Sequence, residues 1–551
     1  MSQHHDPIQM LMRWAREKGD TPYLHQPTAA GVRVFTWSEV AAEVRRVAGA
    51  LRRLQLPAGS RIALSGLNTA HWFIADLAVT MAGHVSVGLY PKQAGEAVRY
   101  IFEHSGARAV FVGPMPDAGQ FLAAVPQGVL KIAMPYPGVG GCDRSWEALC
   151  AGAEPITDHT PPPPDRLTTL VYTSGTTGNP KGVMITAGNL GFVTRGLLKI
   201  MPARPQGEVF LSYLPLAHMF ERGAVEMASL YLGAEVYFLE SIEKLGEALR
   251  QVRPTRFFAV PLVWTRMQSQ ILKQVPQAKL DRLLAIPLVS ALVKRKVKKQ
   301  LGLDRSWLRI SGAAPLPLPV LEWFSRLGID IYQGYGMTEN SIYISCNLPG
   351  ANRPGSVGRP FPDAPTRISP EGEIQNKHPG ITPGYYNDPK KTRELFTADG
   401  WLKTGDMGRL DSDGYLWITG RVKEIFKTLK GKYVAPSPIE GAFASNTDID
   451  QLCFVGSGLP QPLMVVALNV DARAKPREQV AEGLITTMQA VNAELEPHEQ
   501  IGKIVVVAEA WSIDNGLLTP TMKVKRNEVE RRYAALLAEQ VKSREPLAWI
   551  D

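Results

Sequence analysis

Leu170 to Thr186 reads LVYTSGTTGNPKGVMIT, an apolar, β-prone run that breaks into hydroxyls, glycines and one lysine before apolar residues resume. A strand that feeds such a loop is suited to wrapping phosphates. Gly175, Gly178 and Gly182 permit positive φ and close backbone approach. Ser174, Thr176 and Thr177 add hydroxyl donors, and Lys181 adds the positive charge. The ordinary P-loop ends in Gly-Lys-Ser/Thr, whereas here Pro180 precedes Lys181 and Gly182 follows it, so this is a phosphate loop of another kind.

Outward from that loop, short apolar runs alternate with helical stretches. Arg61 to Ser65, Ala107 to Val112, Leu167 to Thr173, Arg256 to Val260 and Ile329 to Gln333 read as strands, with Val40 to Leu54 as an amphipathic helix. The alternation predicts an α/β fold of layered subdomains with parallel sheets. Pro161 to Pro164 form a stiff connector just before the loop. From Gly384 short strands and turns predict a β-rich subdomain that ends near Gly420. Beyond it, strands at Leu463 to Asn469 and Ile504 to Val507 mix with helices, as in a small α+β domain. The expected division is a large N-terminal domain, 1–420, and a small C-terminal one, 421–551. A chain of 551 residues exceeds what one core usually serves, which agrees with two domains.

Composition, at 45% hydrophobic and 21% charged, is that of a soluble globular enzyme. The four cysteines are scattered without a CxxC pair, which argues against a disulfide framework or a zinc site and for a reducing, cytoplasmic setting. The opening residues read as a short amphipathic helix and not as a signal peptide. Polar residues interrupt the apolar stretch Ile62 to Tyr90, so any membrane contact is expected to be peripheral. The net charge of +9 is dispersed, with no aromatic-interleaved basic repeat, which excludes a nucleic-acid partner. One basic cluster stands out, Lys294 to Lys299, after the apolar segment Leu283 to Val293. It reads either as a solvated helix face or as a surface for anionic lipid or a polyanion such as coenzyme A.

Two further segments have the chemistry of a nucleotide site. The strand at Ile329 to Gln333 runs into Gly334-Tyr335-Gly336-Met337-Thr338-Glu339, and in open α/β sheets ligands sit at such carboxyl ends. Glu339 suits Mg²⁺, a hard cation that takes one or two carboxylates plus phosphate oxygens, with the Thr173 hydroxyl completing the sphere. Tyr335 is placed to stack on a purine. Thr404-Gly405-Asp406 puts a carboxylate on a tight turn, where it can accept both hydroxyls of a ribose, although an isolated Asp in a turn is as readily a cap.

Taken together, the phosphate loop, the unaltered GYGMTE string and Ser311-Gly312-Ala313-Ala314 resemble the adenylate-forming superfamily of acyl-CoA synthetases, luciferases and peptide-synthetase adenylation domains. The likeness runs from about residue 35 to 530. It implies ATP, Mg²⁺ and coenzyme A as cofactors and substrates, with Gly312 and Ala313 lining the adenine pocket. It assigns Asp406 to the ribose and Arg421 to ribose or phosphate. Gly420 to Lys427 resembles the family's hinge, with Lys423 at the pivot and Lys427 in the same segment; from spacing alone it is equally a charged hairpin. Leu517 to Arg526 resembles the terminal lysine motif in its long-chain form. That assigns Lys523 to the substrate carboxylate and α-phosphate, with Met522 in the slot where other branches carry glycine; Lys525 is the competing choice. Leu214 to Arg222, LPLAHMFER, is similar to the long-chain fatty acyl-CoA synthetase segment in which the histidine, here His218, lies by the acyl pocket; a core histidine is the alternative. Val260 to Trp264 matches the same branch, whereas Ile368 to Ile381 departs from the glycine-rich pattern. The implied activity joins a fatty acid to coenzyme A through an acyl-adenylate. The alternative is a fatty acyl-AMP ligase or acyl-acyl-carrier-protein synthetase that delivers the acyl group to an acyl carrier protein.

Overall fold

The computed structural model describes residues 6–173, 179–429, 431–444, 446–519, 522–543 and 545–550. The predicted Ser174, Gly175, Thr176, Thr177 and Gly178 of the phosphate loop lie outside the described residues.

A seven-stranded sheet, built from strands on either side of that loop in sequence, runs in the order Arg144–Ser145, Leu130–Ala133, Ala109–Val112, Arg61–Ser65, Val85–Leu89, Leu167–Thr173, Lys181–Thr186. All neighbours are parallel except the last pair, which is antiparallel. Its inner strands, such as Val85–Leu89, are buried on both faces because helices cover both sides. One of these helices, Ala70–Met81, is buried almost all round, so it shows no polar stripe. The predicted Val40 to Leu54 helix is Trp37–Arg53, started by Thr36, which accepts from the Glu39 N–H in a capping box.

A second sheet begins with the parallel strands Arg256–Ala259, Leu308–Ser311 and Tyr332–Tyr335 and adds two short antiparallel ones. The strand expected at Ile329 to Gln333 therefore sits three residues later, because pairing with its neighbour starts only at Ile310 opposite Tyr332. Ile329 and Ile331 are buried as its lead-in. A four-stranded antiparallel sheet, Thr366–Ile368, Glu373–Asn376, Leu402–Leu410 and Leu416–Arg421, forms the β-rich part. It starts at Thr366, earlier than the Gly384 expected from the sequence, since its first hairpin is pinned by polar pairs such as Arg367 to Gln375 that apolar periodicity does not reveal.

The C-terminal segment builds its own sheet, Ile449–Val455, Leu463–Leu468, Lys503–Val507 and Leu547–Ile550, with two core clusters drawn from residues beyond Phe426. Among the described residues all four cysteines are free, and no helix is long and apolar enough to cross a membrane.

Candidate functional site

The functional side chains converge where strands of both α/β sheets end. Thr173 closes the strand Leu167–Thr173 and stands opposite Lys181 in antiparallel register. Burial lowers the Lys181 ammonium from its ordinary value, while the attraction of Glu339 opposes that shift. Its Nζ also lies 4.8 Å from the centre of the Tyr385 ring. Glu339 is buried on the single turn Thr338–Asn340, and its Oε1 accepts from the Tyr385 hydroxyl at 2.7 Å. Thr338, at the start of that turn, is buried beside it.

Gly334 and Tyr335 end the strand that precedes this turn. Gly336 follows, and a Cβ there would lie 2.4 Å from the backbone carbon of Ile342. No side chain fits without moving Ser341 and Ile342, which already hold φ of 53° and 60°. Gly336→Ala is therefore expected to displace the Thr338–Asn340 turn and lower ATP-dependent activity by roughly tenfold or more, as misplacement of a preorganised group does. Pyrophosphate release at saturating substrate checks it. Gly312 faces the Phe220 ring, with a notional Cβ 3.2 Å away, and Ala313 turns at φ 67°.

Asp406 is held from two sides: the Tyr335 hydroxyl donates to its Oδ2 at 2.7 Å and Arg421 Nε approaches Oδ1 at 3.0 Å. Asp406 and Arg421 are direct cross-strand partners between Leu402–Leu410 and Leu416–Arg421. Burial and the nearby Asp406 push the Tyr335 phenol well above its usual range, so it remains a donor. A carboxylate braced in this way presents lone pairs at fixed angles, which suits a diol. Val422 N–H donates to the Gly405 carbonyl at 2.9 Å, tying the start of the expected hinge to the turn before Asp406. Lys423 and Lys427 are exposed; Lys423 adds positive charge near Lys181, and Lys427 lies over the Tyr433 ring at 5.4 Å.

Lys523 comes into this site from the C-terminal segment. Its side chain is solvent-exposed, yet crowding by the surrounding protein and then the Arg421 charge lower its ammonium to about 8, against the attraction of Asp406 and Glu424. Lys525 instead begins the helix Arg526–Gln540. The backbone around Lys523 is a tight turn: the Thr519 N–H donates to the Lys523 carbonyl, and the Lys523 N–H donates to the Thr519 hydroxyl. Met522 adopts φ 61°, the left-handed conformation that glycine takes most readily, in the slot the sequence marks as glycine's in other branches.

His218 faces the same charge. Burial, with Lys523 adding repulsion, lowers its imidazole to about 4. Its Nδ1 accepts from the Phe220 N–H at 3.0 Å, which leaves the proton on Nε2 as a donor.

Sequence reasoning missed the residues just past His218. The chain runs from Met219–Glu221 into a π-helical turn, Arg222–Met227. Glu221 Oε1 accepts from Ser212 and from the Tyr213 N–H, its Oε2 has no hydrogen-bond partner among the described residues, and burial pushes the carboxyl up to about 8. Arg222 is 5% exposed and pairs with Asp76, donates to Ser86 Oγ at 2.7 Å and to Thr169, and lies 3.7 Å from Glu226. Thr169 belongs to the strand that leads into the phosphate loop, so Arg222 links that strand to the turn carrying His218. The LPLAHMFER string had singled out the histidine and not its charged neighbours.

This geometry suits a nucleotide and a hard metal ion. Among the described residues no three or more His, Cys, Asp or Glu side chains converge to hold a metal. Glu339 with a hydroxyl such as Thr173 matches a cation that completes its sphere with phosphate oxygens.

Comparison with known proteins agrees. Residues 11–386 match the model of the AMP-binding enzyme family, and residues 424–545 match that of the AMP-binding enzyme C-terminal domain. The chain belongs to the AMP-binding enzyme family. It is 30% identical to long chain acyl-CoA synthetase 6, peroxisomal, of Arabidopsis thaliana, over 94% of this chain and 82% of the relative. It is 31% identical to the long-chain-fatty-acid–CoA ligase FadD15 of Mycobacterium tuberculosis, over 96% of both chains. Among solved structures, the A domain of carboxylic acid reductase from Segniliparus rugosus in complex with AMP superposes with a TM-score of 0.81 at 22% identity, covering 98% of this chain and 95% of that one. At that identity the likeness is one of fold.

Proposed function

We propose that this protein is an AMP-forming long-chain fatty acid–CoA ligase. It converts a fatty acid and ATP to an acyl-adenylate and pyrophosphate, then transfers the acyl group to coenzyme A. The observation that carries this reading is the delivery of Lys523 from the C-terminal segment into charge range of His218, Asp406 and Arg421. Long-chain ligases covered over most of their length support the acyl class.

In the first step a carboxylate oxygen of the fatty acid attacks the α-phosphorus, and the bond to pyrophosphate breaks. Positioning and charge neutralisation supply nearly all the catalysis in such a transfer. Lys523 holds the carboxylate and α-phosphate, Lys181 the departing phosphates, and Asp406, with Tyr335 and Arg421 behind it, the ribose. Gly334, Gly312 and Ala313 line the adenine pocket. Glu339 and Thr173 would hold Mg²⁺, which when bound neutralises phosphate charge. In the second step the coenzyme A thiol gives up its proton to solvent and attacks the acyl carbonyl; a C–S bond forms, the acyl C–O bond to the phosphate breaks, and AMP leaves. His218, neutral above about pH 4, offers its Nε2–H to the carbonyl oxygen.

We place the pivot between the steps at Lys423, and the domain boundary just before it, near residue 420. Beyond the hinge segment, among the described residues, two ion pairs bridge the two parts, Lys92 to Asp514 at 3.0 Å and Lys273 to Asp471 at 2.5 Å. All four side chains are more than half exposed, and such pairs contribute about 0–1 kcal/mol each, a hold weak enough to release for rotation.

The test is a paired assay with palmitate, ATP and Mg²⁺, with and without coenzyme A. Stoichiometric palmitoyl-CoA is expected; palmitoyl-adenylate that accumulates without thioester would move the acceptor to an acyl carrier protein. Because the charged form of Lys523 is the working one and its value is lowered to about 8, the charge is lost as pH rises through that value. Adenylation kcat/KM should therefore fall by about tenfold per pH unit above it, and Lys523→Arg should abolish that alkaline limb. Pyrophosphate release measured on both sides of pH 8 checks this.

A further inference from the structure

The helices Gln277–Ala285 and Pro287–Gln300 form a hairpin whose tip is apolar and open to solvent. Ile286, Leu288 and Leu292 are 54%, 83% and 68% exposed, whereas Leu280 and Val297 are buried where the hairpin meets the body of the protein. Along one face of the second helix the exposed residues are Leu288, Ala291 and Leu292, then Arg295, Lys296 and Lys299. That stripe is apolar in its first turns and cationic in its last. The helix carries five cations and no carboxylate, and Asp281 on the facing helix is paired to Arg326.

A single exposed leucine is ordinary, but three large apolar side chains at one tip are not, least of all beside a band in which Arg295, Lys296 and Lys299 form no ion pair among the described residues, with Asp304 near Lys299. We propose that this hairpin docks on an anionic lipid bilayer, with Ile286, Leu288 and Leu292 at the acyl boundary and Arg295, Lys296 and Lys299 among the headgroups. The arrangement is that of an interfacial helix, which combines buried apolar area with attraction to anionic lipid. A soluble polyanion would satisfy the cations but leave the leucines in water. A second copy of the chain would cover the leucines but bring its own five cations against these. Only an anionic bilayer answers both features, and the chain's net charge of +9 favours the same surface. This docking is separate from the chemistry proposed above and does not depend on it.

Sedimentation of the full-length protein with phosphatidylcholine/phosphatidylglycerol vesicles, against phosphatidylcholine alone, tests it. Binding is expected to the anionic vesicles only and to weaken as salt is raised. Arg295→Glu/Lys296→Glu should reduce partitioning at least tenfold, given roughly fivefold per basic residue near such a surface. Leu288→Ser/Leu292→Ser should also reduce it at least tenfold, since burying each leucine is worth about tenfold or more. Both variants should keep wild-type melting temperature and turnover with dissolved fatty acid, because the altered side chains are solvent-exposed. Failure of the wild type to bind, or equal binding by either variant, would overturn the proposal. So would lipid-free self-association of the wild type, in analytical ultracentrifugation, that Leu288→Ser/Leu292→Ser abolishes.

Discussion

Lys523→Ala is expected to reduce acyl-adenylate formation by about 10²- to 10³-fold, the usual loss when one preorganised group that stabilises developing charge is removed. Thioester formation from synthetic acyl-adenylate should stay within severalfold of wild type. Lys523 stands within charge range of Asp406, Arg421 and Glu424, and it adds to the burial that lowers His218. A cation already held in place pays little reorganisation when negative charge develops on the α-phosphate. In the proposed cycle, rotation about Lys423 removes Lys523 from the site before the thiol attacks, so the second half-reaction does not need it. Measuring the two half-reactions separately, by pyrophosphate release and by coenzyme A consumption, decides the matter. An equal fall in both would mean that Lys523 acts through folding or through a pose common to both steps. Lys525→Ala serves as the control and should leave adenylation near wild type, since that residue begins the helix Arg526–Gln540.

Much of the frame behind that argument could be read from the sequence, and the reasons are local. Arg61–Ser65 and Leu167–Thr173 occur at the limits the sequence predicts, because each is an apolar run bounded by polar or turn residues and paired along its whole length. Asp406 and Arg421 lie on adjacent arms of one hairpin, and a one-residue register shift between Met407 and Gly408 sets them opposite each other. Contacts between distant residues left no such mark. The bond from Tyr385 to Glu339 joins residues far apart in sequence, and neither type announces the other. Arg222 meets Asp76 across 146 positions, and in sequence each looks like an ordinary surface charge. Their burial follows from the stacking of the helix Ala70–Met81, the strands beneath it and the π-helical turn after His218, which periodicity within any one element cannot reveal. The hairpin at Ile286 was half legible: its basic end stood out, but the exposure of its leucines depends on which face packs inward.

Arg222→Met is expected to destabilise the fold by about 3–5 kcal/mol, the range found when one partner of a buried ion pair is removed. Asp76 and Glu226 are 2% and 0% exposed, and Arg222 is the cation that pairs with both. Burial, reinforced by Asp76, already pushes the Glu226 carboxyl well above its usual range. Without the guanidinium the stranded negative charge is relieved only by taking up protons. A folded state that binds protons more tightly than the unfolded chain loses stability as pH rises. The deficit of Arg222→Met should therefore be largest above neutrality and shrink as pH falls toward the ordinary carboxylate range, about 4. Arg222→Lys should fall between wild type and Arg222→Met, because an ammonium restores charge but not the fork that reaches Asp76, Ser86 and Thr169 together. Asp76→Asn combined with Arg222→Met removes both charges and should recover part of the loss, which separates stranded charge from lost packing. Denaturant melts at two pH values measure all of these. A single variant within about 1 kcal/mol of wild type, the limit for exposed pairs, would mean that Arg222 is hydrated in solution and that the link from the strand to the His218 turn is not held by its charge.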